Sequence, residues 1–418
     1  MISVPGRRRT MRSHSGNRQH GFSLIEMLVA IAAFSIVLTI AFSSFKIAMT
    51  KTQSLVKSEE SNVEGVVGLD MLRRDLEQAG FGLFNAVTIP APTNSEATET
   101  RPALYNDASG IPRAVSADDN VNAGDNSVVL ANTDYLVIKA TSVGSAATAQ
   151  KWTYINYTTN GAAPSHNWLG NNLVDGVDQV IAVSQKTNTT TGILTRQLIN
   201  SSSAFAVTYK VNGGYAAPFA PPAIPGSVYF YYGIGASPPI SPFNRTDYMV
   251  RRLQTRSGQL PATSPTCAPG AGTLYKAVMR QTADSGGAAG TMNYIPLLDC
   301  VADMQVVLGW NTDNVPQNAP GPNVTSTSNP TGSAFIGSMT GVSVSSPSDI
   351  MRRLKIVKVY ILAQDGAYDG SYVNTNTAMV TGDTLESSLT RTIDLTGANY
   401  QHYRWKLYRI VVKPKNLN

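Results

Sequence analysis

Gly21-Phe22 and Glu26 are the residues whose types and spacing point most directly to chemistry in this chain. In GFSLIEMLVA, Gly21 to Ala30, a carboxylate stands five positions after Gly21, inside a run otherwise suited to lipid. Near the middle of a membrane helix a carboxylate costs on the order of 3 kcal/mol, so an ionisable residue there marks function by default. Glu26 sits near one end of the run, where the plain alternative is a charge tolerated at the interface. The remaining stock for chemistry is small. Of four histidines, His14 and His20 precede the junction, leaving His166 and His402, and neither is in a metal-ligand spacing with another His or Cys. No Gly-x-Ser-x-Gly elbow or phosphate-binding Gly-Lys-Ser/Thr loop is present. Asp118-Asp119-Asn120-Val121-Asn122-Ala123-Gly124-Asp125 gathers oxygen ligands that could hold Ca²⁺. It lacks the glycine position and terminal Glu of an EF-hand loop, and an Asx-rich turn is the plainer account. The chain is expected to work without catalytic residues, a metal site or a cofactor.

The elements that carry these residues follow from composition. Only 14% of the 418 residues are charged, and Gly, Ser, Thr, Asn and Pro are abundant, which suits strands and turns better than a helical bundle. The net charge of +6 invites a nucleic-acid reading, but Arg7, Arg8, Arg9, Arg12 and Arg18 all lie before Gly21. Cutting there leaves 28 basic against 27 acidic residues. With only short basic pairs elsewhere, Arg251-Arg252 and Arg352-Arg353, no nucleic-acid partner is expected. Cys267 and Cys300 are too few for a disulfide scaffold and too far apart for a zinc knuckle. Exported, they could form one staple worth roughly 3–4 kcal/mol; two buried free thiols are the other reading.

From Phe22 to Phe45 the chain is mainly apolar for about 24 residues, enough to cross a bilayer as a helix. The basic segment before it predicts a cytoplasmic N-terminus, with everything after Lys46 outside the cytoplasm. An ordinary secretory signal has its small-residue cleavage site after the apolar run; here Gly21 comes first. No proline occurs between Pro5 and Pro90, so one helix is expected to continue to about Ala79, roughly 85–90 Å at 1.5 Å per residue. Val63, Val66, Leu69, Leu72, Leu76 and Ala79 recur at intervals of three or four and predict the face that packs under a head. Gly65 and Gly68 read as interruptions, and Gly80-Phe81-Gly82 as a stop.

A basic leader, a Gly-Phe junction, a glutamate and an uninterrupted apolar helix together resemble the class III signal of type IV prepilins and pseudopilins. The resemblance implies that prepilin peptidase cuts between Gly21 and Phe22 and methylates the new amine of Phe22. It also implies that Glu26, then the fifth mature residue, pairs with the N-terminal amine of a neighbouring subunit, where a buried carboxylate opposite an ammonium becomes tolerable. The leader is long for the simplest pilins, although initiation at Met11 would shorten it. The proline common midway along major-pilin helices is missing, and Ser43 and Ser44 stand in that region.

Twelve candidate strands, from Asn126–Ala131 to Tyr403–Val412, follow the helix, rich in β-branched and aromatic residues and separated by turn clusters. Among them are Phe205–Val211, Tyr248–Leu253, Met304–Trp310 and Leu354–Ala363. The expected fold is therefore α+β: a long N-terminal helix, transmembrane in its first half, and a largely antiparallel, pilin-like head. The divisions are a leader at 1–21, the lipid- or filament-facing half-helix at 22–45, its head-facing half at 46–84, and the head at 85–418 with an irregular loop or insertion at 311–349. Residues 85–124 also read as irregular surface decoration.

Leu69-Asp70-Met71-Leu72-Arg73-Arg74-Asp75-Leu76-Glu77-Gln78-Ala79-Gly80-Phe81-Gly82 resembles the PilW-like minor pilins, as do Val228–Tyr232, Tyr248–Arg252, Pro296–Val306 and the closing basic-aromatic strand. This resemblance implies a minor pilin that primes type IV pilus assembly at or near the tip. Its partners would be other minor and major pilins and the prepilin peptidase. It would sit in the inner membrane with a periplasmic head before entering the extracellular pilus. A type II secretion pseudopilin of the J kind and a pilus-tip adhesin are the alternatives.

Overall fold

A computed structural model describes residues 23–87, 96–107, 110–121, 129–162, 164–168, 170–187, 194–235, 237–251, 267–311, 324–328, 338–339, 342–343, 347–382, 390–397 and 400–417. The chain divides into two units, Met1–Leu55 and Val56–Asn418. α1, Leu24–Gln78, runs for 55 residues without proline or a helix-stopping pair. It ends where Gly80 takes a φ of +81° and Gly82 one of +69°, the left-handed conformation that glycine adopts without a Cβ penalty. The C-terminal segment completes that end: the Lys415 amide donates to the Glu77 carbonyl at 3.0 Å, and its ammonium pairs with the Glu77 carboxylate.

The remainder is strand-rich. In chain order the strands are β1 Ala86–Val87, β2 Val115–Asp118, β3 Tyr135–Ala140, β4 Trp152–Thr158, β5 Gly161–Ala162, β6 Gln179–Thr187 and β7 Leu194–Ile199. There follow β8 Val207–Thr208, β9 Val228–Gly235, β10 Asn244–Arg251, β11 Gly272–Met279, β12 Met292–Asn311 and β13 Val324–Ser328. The last are β14 Ser338–Met339, β15 Val342–Ser343, β16 Leu354–Asp365, β17 Ala378–Gly382, β18 Thr390–Asp394 and β19 Arg404–Val412. Two short helices, α2 Thr100–Ala103 and α3 Pro347–Arg353, lie between strands. One sheet runs β1-β7-β6-β9-β4-β5 with β8 on β6, and the larger runs β19-β16-β12-β11-β10-β3-β2 with β13 on β12. β14–β15 and β17–β18 are separate hairpins. Pairing is antiparallel except between β1 and β7. The fold class is α+β, an N-terminal apolar helix followed by mostly antiparallel sheet.

Strand alternation builds the core. Ile181 and Val183 of β6 and Leu136, Ile138, Tyr248, Val250, Val357, Val359 and Ile361 of the larger sheet join Leu69, Leu72 and Leu76 of α1, and Ala79 just after it, in one cluster. The intervening residues face away. Val180 and Ala182 enter a second cluster with Tyr229 and Tyr231, and Tyr135, Val137 and Met249 a third. A polar clasp also ties the helix to the sheet: buried Asp75 accepts from the Tyr248 hydroxyl at 2.6 Å and pairs with Lys276.

The buried face of α1 departs from the expected one. Val63 and Val66 are exposed, whereas Gly65 and Gly68 are buried. A Cβ at Gly68 would lie 2.6 Å from the Leu297 carbonyl oxygen and 2.9 Å from Leu297 Cβ; one at Gly65 would lie 2.9 Å from the Tyr408 hydroxyl oxygen. Both glycines are contacts: at Gly68 the missing side chain lets helix backbone approach the Leu297 backbone, and at Gly65 it leaves room for the Tyr408 ring. An exposed helical Gly→Ala stabilises by about 1 kcal/mol, but overpacking against rigid backbone costs about 1–3 kcal/mol. Gly68→Ala is therefore expected to lower stability, and Gly65→Ala, which meets only the end of a movable tyrosine, to leave it nearly unchanged. Denaturant midpoints of the full chain in detergent check the pair; stabilisation by Gly68→Ala would contradict the close approach.

Other expectations shift in extent. The strand expected at Met304–Trp310 begins at Met292, running past Pro296 and Cys300 by means of register shifts opposite Gly272, Leu274 and Tyr275. Of Phe205–Val211 only Val207–Thr208 is strand, and of Asn126–Ala131 only Val129 pairs, in an isolated bridge to Arg251, with 126–128 outside the described residues. The 85–124 stretch, read as surface decoration, contains β1, α2 and the wholly buried β2. Most of 311–349 lies outside the described residues, as do Asn122–Asp125 of the acidic run. Cys267 and Cys300 are joined by a disulfide across 33 positions.

Candidate functional site at the start of the apolar helix

Ser23 immediately precedes α1, and Glu26 lies in its first turn. The Ser23 amide donates to Glu26 Oε2 at 2.9 Å, and the Glu26 amide donates to Ser23 Oγ at 3.3 Å. This reciprocal capping box satisfies two amides at a helix start that would otherwise lack intrahelical partners. It also sets a carboxylate against the positive end of the helix dipole. The sequence signal was present in Ser23-Leu24-Ile25-Glu26, a Ser-x-x-Glu ahead of an apolar run. Glu26 thus has a local role in shaping the helix start besides any role it plays towards another chain. Gly21 and Phe22 lie outside the described residues.

Behind the cap, Leu24–Met49 is long and apolar enough to span a membrane, and none of it is buried. Three of its hydroxyls are turned back on the helix. Ser35 Oγ donates to the Ile31 carbonyl, Thr39 Oγ1 to that of Ser35, and Ser43 Oγ to that of Ile40, each at 2.8 Å. Such internal bonds let Ser and Thr sit in a hydrocarbon setting without an unsatisfied donor.

The other residues singled out from sequence do not gather into a site. His166 stands against Trp168 at a ring distance of 4.4 Å, while the His402 ring nitrogen Nδ1 lies 2.7 Å from the Tyr372 carbonyl. Among the described residues no three His, Cys, Asp or Glu side chains converge as metal ligands. Asp118 of the acidic run is held by Arg101 and by the Tyr105 hydroxyl. Arg251 lies over the Tyr294 ring at 4.0 Å, and Arg352 and Arg353 both pair with Asp349, at 3.2 and 3.4 Å.

Sequence reasoning missed a buried ionic cluster on the face of the larger sheet away from α1. Lys139 of β3 donates to Glu96 at 2.7 Å and also pairs with Asp107, which binds Arg113. Arg245 of β10 forks onto Asp247 through two bonds of 2.8 Å, donates to the Pro102 carbonyl at 2.7 Å, and reaches Glu96 at 3.4 Å. Tyr135 donates to Asp247 at 2.6 Å. Each of these carboxylates has a cation partner, as a buried charge requires. The cluster fastens the 96–113 segment to β3 and β10. The available clue was a lysine amid the apolar residues of YLVIKA, at Lys139.

Residues 16–42, which include Gly21, Phe22 and Glu26, match the family model of the prokaryotic N-terminal methylation motif. No curated protein and no solved structure matches the chain. The motif points to a structural subunit rather than an enzyme, and implies processing by prepilin peptidase and assembly with other pilins. Joined to an exposed apolar helix that starts within the matched residues, it establishes a type IV pilin-like prepilin signal at the N-terminus of this chain.

Proposed function

We propose that this protein is a minor type IV pilin of the PilW-like kind, which primes pilus assembly at or near the filament tip. The observation that carries the reading is the methylation motif at 16–42 running straight into an apolar span exposed on every side. The chain is anchored in the inner membrane with its head in the periplasm. Prepilin peptidase cuts between Gly21 and Phe22, Phe22 is methylated, and the helix leaves the bilayer for the filament. A head as large as 85–418 leaves room for few lateral neighbours, which suits the tip better than repeated incorporation along a shaft.

In this reading Glu26 serves twice. It caps its own helix through Ser23, and in the filament its charge meets the terminal ammonium of the next subunit, an attraction that strengthens as the dielectric falls. The two roles separate by substitution. Glu26→Gln retains an acceptor for the Ser23 amide but removes the charge, whereas Glu26→Ala removes both. Both variants are expected to insert and to be cleaved, and both to fail recruitment into pili, assayed by co-purification with the other pilins. Normal recruitment of Glu26→Gln would show that charge is not what the neighbour reads. Mass spectrometry of the mature N-terminus tests the processing itself. Methylated Phe22 is the expected result, and an intact leader or a cut beyond Met49 would overturn the reading.

A further inference from the structure

A cleft of about 450 Å³ opens between the last turns of α1 and the edge of β4. Its chemistry is specific. Trp152 is half-buried at the start of β4, edge-on to Phe81 at 6.4 Å and beside Trp168 at 4.7 Å. Trp168 is held in place, its indole N–H donating to the Trp152 carbonyl at 2.8 Å. The same cleft is lined by Gln78, Gln150 and Asn171, and by Ser142, whose hydroxyl is buried without a hydrogen-bond partner among the described residues. Arg74 lines the same cleft, is exposed, and pairs with no carboxylate among the described residues; its neighbour Asp75 is already taken by Lys276 and Tyr248. Arg74 and Lys276 against Asp75 leave the cleft one positive charge in excess.

We propose that this cleft binds an acidic oligosaccharide, with a pyranose ring on Trp152 and a carboxylate on Arg74. An indole face matches the apolar C–H face of a sugar ring, and planar side-chain amides offer paired donors and acceptors for neighbouring hydroxyls. A guanidinium receives a carboxylate through two parallel bonds. The other ligand classes fit less well. A wholly apolar ligand would strand the amides and the Ser142 hydroxyl, a metal cation would meet net positive charge, and a polyphosphate would find a single unpaired cation. The proposal does not rest on the reading of the chain as a filament subunit, because binding is measured on the isolated protein.

The test uses the full chain in a detergent without a sugar headgroup, titrated with trigalacturonate, sialyllactose and neutral maltotriose, and followed by tryptophan fluorescence and calorimetry. At least one acidic trisaccharide is expected to bind saturably. Trp152→Ala is expected to weaken that binding by about tenfold or more, and Arg74→Gln to abolish the preference for acidic over neutral sugar. Gln150→Ala and Arg74→Gln are exposed changes that keep the test decisive if Trp152→Ala lowers the melting temperature. Absence of saturable binding of both acidic sugars at millimolar concentration, or equal binding by wild type, Arg74→Gln and Gln150→Ala, would overturn the proposal. A neighbouring pilin found bound there instead would overturn it as well.

Discussion

Lys139→Met is expected to destabilise the protein by about 3–5 kcal/mol, the cost of breaking a buried ion pair by removing one partner. Lys139 is fully buried, and its ammonium lies 2.7 Å from Glu96, 3.2 Å from the Tyr105 carbonyl and in contact with Asp107. Methionine fills similar volume without charge, so the loss falls on the two carboxylates. Arg113 remains for Asp107 and the more distant Arg245 for Glu96, which holds the effect below that of stranding both. Denaturant unfolding of the full chain measures it, and a loss under about 1 kcal/mol would mean that the ammonium does not balance these acids. Combining Lys139→Met with Asp107→Asn should cost less than the two separate losses together, since one orphaned charge is removed with its partner. Acid gives an independent check. Burial pushes the Asp107 carboxyl up, but Lys139 and Arg113 outweigh it and hold the group below its ordinary value. A depressed folded value means that this stabilisation is complete above a pH of about 4 and is lost as pH falls through the folded value. Asp107→Asn is expected to flatten that acid limb.

Reducing the Cys267–Cys300 bridge, or replacing both cysteines by serine, is expected to cost roughly 3–4 kcal/mol by the chain-entropy relation for a loop of this length. The loop spans 33 positions and contains β11 and the first half of β12. The two strands pair antiparallel with register shifts between Gly272 and Leu274 and between Leu274 and Tyr275, and Cys300 itself has a φ of +57°. The bridge therefore closes the hairpin at its irregular end, where ladder bonds are interrupted. Because a cross-link acts mainly by limiting the unfolded chain, the folded far-UV spectrum should stay the same. The unfolding midpoint should fall, and the denaturant slope should rise as the unfolded state expands. Coincident midpoints for oxidised and reduced protein would refute the expectation.

The membrane-competent helix, the motif that precedes it and the α+β class were legible from residue order, because each depends on local pattern. About 24 apolar residues specify a span wherever they occur, and a signal read by a peptidase is a linear string. Most strands of the larger sheet were legible for the same reason. Val357, Val359, Ile361 and Ala363 of β16, and Ile410 and Val412 of β19, reach the core cluster at every second position. The capping box is equally local, since Ser23 and Glu26 stand three positions apart ahead of an apolar run.

Tertiary structure alone decided which face of α1 is buried, how residues 96–118 are used, and where a ligand-sized cleft forms. Periodicity favoured Val63 and Val66, yet Gly65 and Gly68 form the interface, since the closest approach goes to the residues with least side chain. The 85–124 stretch is poor in apolar residues and reads as solvated, but Glu96 and Asp107 gain their partners Lys139 and Arg245 only when β3 and β10 lie side by side. Trp152 and Arg74, 78 positions apart in the chain, likewise meet in one cleft only after folding. Local pattern reports what each residue prefers next to its neighbours in sequence, whereas the pairing of charges and the removal of water from a face depend on residues that only the fold brings together.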